Sequence, residues 1–220
     1  MASEATALAG AFIVFEGIDG AGTSTQAERY AAHLRRAGRS VHVTHEPSSG
    51  PIGALIRQVL RGQLTLSNPC HAELMALLFA ADRLDHVAAE IAPHVEQGGV
   101  VLSDRYDLSS LAYQSITASG SGHDPAHVVT WIRTLNRAAR RPDVTVVLDV
   151  DAHVAAARRQ ARGGAPELFD GLDLQARLAE AYRGAEALVP GDRVIHLDGN
   201  PSADEVTAAV VATLTPFVEP

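Results

Sequence analysis

Two glycines with four residues between them stand where a short apolar run gives way to a helical pattern. The segment reads Gly17-Ile18-Asp19-Gly20-Ala21-Gly22-Thr23-Ser24-Thr25. Before it, Phe12-Ile13-Val14-Phe15 has the composition of a strand. After it, Ala27, Tyr30, Ala31 and Leu34 share one helical face. A glycine turn between a strand and a helix N-terminus is the setting of a phosphate-binding loop, where backbone N–H groups and the helix dipole bind an anion without side chains. The loop pattern GxxxxGK[ST] asks for lysine after the second glycine, and this chain has Thr23 there. Gly17, Gly20, Ala21, Gly22, Thr23, Ser24 and Thr25 are the candidate phosphate contacts, and the Ser24 hydroxyl is a candidate magnesium ligand. A glycine-rich turn without a ligand is the plainer alternative.

The missing lysine belongs to a wider feature. All 18 basic side chains among the 220 residues are arginine, and the chain has no lysine. Arginine binds phosphate well through its planar fork. A loop without its own cation therefore has to draw charge from elsewhere in the fold. The net charge of −8 argues against a general nucleic-acid binder, but not against a local nucleotide site. Cys70, the one cysteine, cannot form an internal disulfide, which fits a reducing, cytoplasmic compartment. No apolar stretch is long enough to span a membrane. Residues 1–10 lack the basic start and apolar core of a signal peptide and read as a loose tail.

Strand-like runs recur along the chain at Phe12–Phe15, Val41–Thr44, Val100–Ser103, Thr145–Asp149 and Val194–Leu197. Amphipathic stretches lie between and after them, at Ile52–Arg61, Ala72–Val95, Ala126–Arg140, Asp151–Ala161, Leu174–Leu188 and Ala203–Leu214. This alternation implies an α/β fold: a parallel five-stranded sheet covered by helices on both faces, a three-layer sandwich. Residues 11–220 are expected to form one domain, with long loops at Ser119–Asp124 and Arg162–Asp170. Ligands in such sheets bind at the carboxyl ends of the strands.

Several weaker motifs fall at those ends. Val100–Ser103 runs into Asp104 and Arg105, an acid placed to hold magnesium and a base placed to hold phosphate, or else a surface ion pair. Phe79 and Arg83 lie four apart on one helical face, so a ring and a guanidinium project together. That pair suits a nucleobase, although a core phenylalanine and an Arg83–Asp82 ion pair would look the same. Glu46 and Pro47 close the second strand. Ser110, Tyr113 and Gln114 offer hydrogen-bonding groups just after Arg105. Arg158, Arg159 and Arg162 cluster before Gly163-Gly164, as on a loop that closes over a transferring phosphate or on an ordinary basic helix end. No histidine or cysteine spacing indicates structural zinc.

Taken in order, Phe15-Glu16-Gly17-Ile18-Asp19-Gly20-Ala21-Gly22, then Glu46-Pro47, then Leu78-Phe79-Ala80-Ala81-Asp82-Arg83, then Ser103-Asp104-Arg105-Tyr106 with Ser109 to Gln114, resemble the thymidylate kinase family from about Phe12 to the C-terminal helix. The resemblance implies a P-loop NTPase-type fold, transfer of the ATP γ-phosphate to dTMP with magnesium, and a homodimer. It implies Asp19 near the acceptor sugar and phosphate, Phe79 stacked on thymine, Arg83 on its carbonyl edge and Arg105 on the dTMP phosphate. Ser110 and Gln114 would lie by the base, with Glu46 and Pro47 beside them, and Tyr113 under the sugar, excluding a 2′-hydroxyl. Ser24 and Asp104 would hold the metal. Ala21 fits the bacterial subgroup, which has no arginine within the loop and supplies one from a lid, here about residues 158–170, so the resemblance implies Arg158 and Arg162 as catalytic candidates beside Asp19 and Arg105.

Three departures fall on phosphate-handling or lid positions. Thr23 stands for the family lysine. His45-Glu46-Pro47-Ser48-Ser49-Gly50 stands for Arg-Glu-Pro-Gly-Gly-Thr. Glu167-Leu168-Phe169-Asp170 keeps the acids of the lid motif but not its arginine. The base-binding set is intact. Three functions therefore stay open: a dTMP kinase, an impaired homologue that binds nucleotide in a regulatory role, and a kinase for another nucleoside monophosphate.

Overall fold

The computed structural model describes residues 10–66, 71–119, 124–163 and 171–218. The tail before residue 10, Cys70, the centre of the loop after Ser119, and the lid positions Glu167 and Asp170 lie outside the described residues. Among the described residues, five parallel strands form one sheet in the order β2-β3-β1-β4-β5. They are β1 (Ala11–Glu16), β2 (Val41–His45), β3 (Val100–Asp104), β4 (Val144–Asp149) and β5 (Val194–Asp198). Each overlaps a run expected from the sequence, within about two residues at either end.

All six residues of β1 are buried, as suits the central strand of a parallel sheet. Alternate side chains face opposite layers. Phe12 and Val14 pack with Ile91, Val95, Val101 and Tyr106. Ile13 and Phe15 pack with the layer that includes Ala27, Tyr30 and Leu34 of α1 (Thr23–Arg36). Further helices cover the two faces: α2 (Pro51–Leu60), α3 (His71–His86), α4 (Ala92–Glu96), α5 (Asp107–Ser119), α6 (Pro125–Leu135), α7 (Ala152–Arg162), α8 (Leu172–Arg183), α9 (Ala185–Leu188) and α10 (Ala203–Val218). The three-layer α/β arrangement expected from the alternation is the one observed.

Three expected helices end or break early, each for a local reason. The stretch Ala72–Val95 is interrupted by a π-helical turn at Val87–Ile91, just before Pro93, which has no N–H to donate to the preceding turn. The stretch Leu174–Leu188 splits at Gly184. The helix expected to reach Arg140 stops at Asn136, whose amide caps the Ile132 carbonyl and turns its oxygen toward Arg83. At the start of α6, Asp124 accepts the Ala126 N–H ahead of Pro125. Asp151 caps α7 in the same way through His153 and Val154.

The sheet order places β1 between β3 and β4. The loop after β1 therefore opens at the carboxyl edge where the chain crosses from one side of the sheet to the other.

Candidate active site

The phosphate-loop segment joins β1 to α1. Gly20 and Gly22 take positive φ, +93° and +98°, which a side chain would strain. No side chain caps the N-terminus of α1. Thr23, the first residue of that helix, is buried, with its methyl beneath Gly17. Ser24 points the other way and donates its hydroxyl to Asp104 Oδ2 at the end of β3. The second oxygen, Asp104 Oδ1, is buried without a partner. A hydroxyl beside a carboxylate with an unused buried oxygen fits magnesium, which takes few protein ligands and completes its shell with phosphate and water.

The nine residues singled out as acceptor contacts converge. Asp19, Glu46, Pro47, Phe79, Arg83, Arg105, Ser110, Tyr113 and Gln114 all line one cavity of about 140 Å³. They come from β1, β2, β3, α3 and α5, or from the residues just after those strands, and only the fold joins them. Phe79 presents a partly exposed ring there.

Arg83 is 1% exposed and is ion-paired with Glu46 rather than with Asp82. It also donates to Asn136 Oδ1 and to Ser110 Oγ at 3.3 Å. Burial works against its charge, but Glu46 and Asp107 more than offset that, so the guanidinium stays protonated. Its Nε has no partner, and neither does Gln114 Oε1. Asp82 serves the neighbouring loop instead, accepting the Ser48 N–H at 2.7 Å and its hydroxyl at 2.6 Å. The Glu46–Pro47 peptide leading into that loop is cis.

Arg105 follows β3 with φ +74°, the one non-glycine residue at positive φ among those described. Its N–H is taken by the Phe15 carbonyl at 2.9 Å. Its guanidinium reaches Gly17 O at 2.8 Å, Ser109 Oγ, Tyr182 OH and the Asp19 carboxylate. Burial opposes this charge too. Tyr113, Asp19 and Tyr182 around it carry its pKa well above the usual arginine range. Asp19 is held in turn by the Tyr113 hydroxyl at 3.0 Å and by Gln175 of α8, which accepts its N–H and donates to its carboxylate.

Beneath this cluster lies Glu16, fully buried at the end of β1. It accepts the N–H groups of Tyr106 and Ser109, the Ser109 hydroxyl at 2.6 Å and the Tyr182 hydroxyl at 3.0 Å. Burial pushes its carboxyl up to about 7, against the pull of Arg105 and these donors.

The arginines of α7 separate. Arg158 donates to the carbonyls of Gly199, Asn200 and Pro201 in the turn before α10. Arg162 is exposed at the end of the helix. Arg159 lies against the phosphate loop and donates to the Asp19 carbonyl. Sequence reasoning passed over Arg159 as a site residue, and also Glu16, Asn136, Gln175 and Tyr182. Only Glu16 and Arg159 had a local signal, the first inside the loop motif and the second inside the arginine cluster. Nothing in the sequence near Gln175 or Tyr182 points 156 or more residues back to Asp19 and Glu16.

The thymidylate kinase family model matches residues 15–210, a span holding every side chain described in this site. A probable thymidylate kinase of Pyrobaculum aerophilum is 41% identical over 205 residues, covering 93% of this chain and 95% of that protein. The thymidylate kinase of Thermomicrobium roseum is 40% identical over 208 residues, covering 93% and 94%. That of Cereibacter sphaeroides is 41% identical over 219 residues, covering 95% and 96%. With similarity running nearly end to end, through the loop, the strand-end Asp-Arg pair and the cavity between them, this chain belongs to the thymidylate kinase family.

Proposed function

We propose that the protein is a dTMP kinase, transferring the γ-phosphate of ATP to dTMP to give dTDP. The observation that carries this reading is a cavity lined by Phe79, Arg83 and Gln114, two of which hold a buried atom without a partner, the donor Arg83 Nε and the acceptor Gln114 Oε1. Thymine offers an exocyclic oxygen next to a ring N–H, an acceptor beside a donor. Cytosine offers the reverse. The Gln114 amide can turn over, but a guanidinium has no acceptor to offer, so Arg83 opposes a cytosine amino group. Leaving such buried groups unpaired is what makes a hydrogen-bonding site selective.

In this reading Phe79 stacks on the base, and Ser110, Glu46 and Pro47 hold Arg83 and the base edge. Tyr113 lies under the sugar with Asp19 at the 3′-hydroxyl. Arg105 exchanges its contact with Asp19 for the acceptor phosphate. Gly17, Gly20, Ala21, Gly22, Thr23, Ser24 and Thr25 wrap the ATP phosphates. Ser24 and Asp104 would hold magnesium, which would supply positive charge against that of the phosphates. Arg158 and Arg162 approach from the side of a lid at about 158–170. The protein works as a cytoplasmic homodimer on free nucleotides, not on nucleic acid. Leu77 and Leu84, both large and exposed on α3 and seven residues apart, support the pairing surface.

Thr23 favours a second reading, a nucleotide-binding homologue with little turnover, and a third is a kinase for a different monophosphate. Turnover, together with dTMP binding measured by calorimetry, separates all three. ADP release is followed with ATP, magnesium and either dTMP, dUMP or dCMP. The dTMP reading expects turnover with dTMP at least about tenfold above dCMP. Binding of dTMP without turnover would establish the second reading, and preference for dCMP the third.

A further inference from the structure

We propose that the groove between α6, the start of α5 and the turn after α9 is a second binding site, in which Arg133, Arg137 and Arg141 hold a nucleoside triphosphate, and that this occupant loosens the acceptor cavity through Asp107 and Asn136. The binding stands apart from the kinase reading above; the effect on the acceptor rests on it.

The groove encloses about 690 Å³, against about 140 Å³ for the acceptor cavity, and falls in the size range of small-molecule sites. Three arginines and two aspartates line it. Both aspartates are spent on one arginine. Arg141 bridges Asp107 and Asp192, with Nη2 at 3.3 Å from Asp107 Oδ1 and Nε at 3.2 Å from Asp192 Oδ1. Arg133 and Arg137 lie four apart at the end of α6 and are exposed. Among the described residues their side chains have no hydrogen-bond or ion-pair partner. Two uncompensated guanidinium forks in one concavity, on a chain of net charge −8, suit a ligand with several phosphates. Leu111, Val189 and Pro190 line the same groove and offer an apolar surface to a sugar or base.

The groove shares a wall with the acceptor cavity. Asn136 lines the groove and accepts from Arg83 Nη1 at 2.5 Å. Asp107, 5% exposed, also lines the groove, and its charge helps to keep Arg83 protonated. A phosphate chain competes with Asp107 and Asp192 for Arg141. Once released from Arg141, the Asp107 carboxylate draws Arg83 away from the base edge. Acceptor binding weakens, and by linkage dTMP weakens the triphosphate by the same factor.

Calorimetric titrations of the full chain with ATP and with dTTP are the test. They are run on the wild type, Arg133→Gln/Arg137→Gln and Arg141→Gln, each first shown to be folded by its melting curve. With at least one of the two nucleotides the wild type should take up one equivalent more than the double variant. Equal stoichiometry with both nucleotides overturns the site. Inorganic tripolyphosphate has no body for the apolar surface and should bind the groove at least about tenfold more weakly. Equal affinity overturns the nucleotide assignment. For the coupling, a saturating amount of the nucleotide that fills the groove should raise the dTMP Kd about fivefold or more in the wild type, and the double variant should lose most of that rise. Arg141→Gln frees Asp107 without any ligand and should weaken dTMP by itself. A rise of the same size in the double variant, or unchanged dTMP affinity in folded Arg141→Gln, overturns the coupling. If dTMP binds to none of these proteins, the kinase reading falls, and the count of triphosphate equivalents still decides the groove.

Discussion

Glu16 shows how one side chain can organise the chemistry of others without touching a ligand. Its two oxygens accept four hydrogen bonds from three partners, and two of those partners, Ser109 and Tyr182, also contact Arg105. The carboxyl thus holds the turn that carries the strained Arg105 backbone, a conformation that costs about 1–3 kcal/mol and persists only when its surroundings over-determine it. Because its carboxyl is raised to about 7, native Glu16 keeps a proton that the unfolded chain loses near the ordinary glutamate value of 4.5. Between those values the native state binds more protons, so this group's contribution to stability falls as pH rises, by on the order of 3 kcal/mol in all. Glu16→Gln cannot titrate. Its melting temperature relative to wild type should therefore climb between about pH 5 and pH 8. Parallel curves for the two proteins would contradict the assignment. At the same scale, Arg105→Ala should raise KM for dTMP at least about tenfold while moving KM for ATP little, given the worth of a hydrogen bond to a charged group. An unchanged dTMP constant would remove Arg105 from the acceptor site.

Elements meet here through backbone contacts that only glycine permits. Besides Gly20 against α7, Gly53 of α2 packs so closely on the segment after Pro47 that an added Cβ would lie 2.0 Å from the Ser48 carbonyl oxygen. Arg57 of α2 donates to the carbonyl of Pro47 at 2.9 Å and to that of Ser48. Asp82 of α3 grips Ser48 from the other side. The loop that carries Glu46 is thus clamped between two helices, and Arg83 is oriented at second hand. Gly53→Ala should cost about 1–3 kcal/mol in chemical denaturation, the range for overpacking, and should weaken dTMP binding as well. Wild-type stability with wild-type affinity would show that the contact relaxes freely.

At the scale of the molecule, the crossover from β1 outward to β2, and back through β3, brings five separated segments to one edge of the sheet. The same topology turns Phe79 and Arg83 of α3 inward and leaves Leu77 and Leu84 on the outside. If that outer face is the proposed dimer contact, Leu84→Arg should convert a particle of twice the chain mass into a monomer by light scattering coupled to size exclusion. No change in mass would place the contact elsewhere, and a monomeric wild type would end the proposal.

The sequence alone determined the strands, most of the helices and the loop, because hydrophobic period, glycine and proline act locally. A resemblance in motif order also marked out the nine residues that line the cavity. Tertiary structure decided what local rules cannot reach. Arg83 could have paired with Asp82 beside it, yet burial set it against Glu46, 37 residues away, where a charge removed from water needed compensation. Gln175, Tyr182 and Arg159 have the composition of ordinary helix residues. They became partners of the loop because helices that follow it by more than 130 residues fold back onto the edge where it opens, and a contact of that kind is written in no single window of the chain.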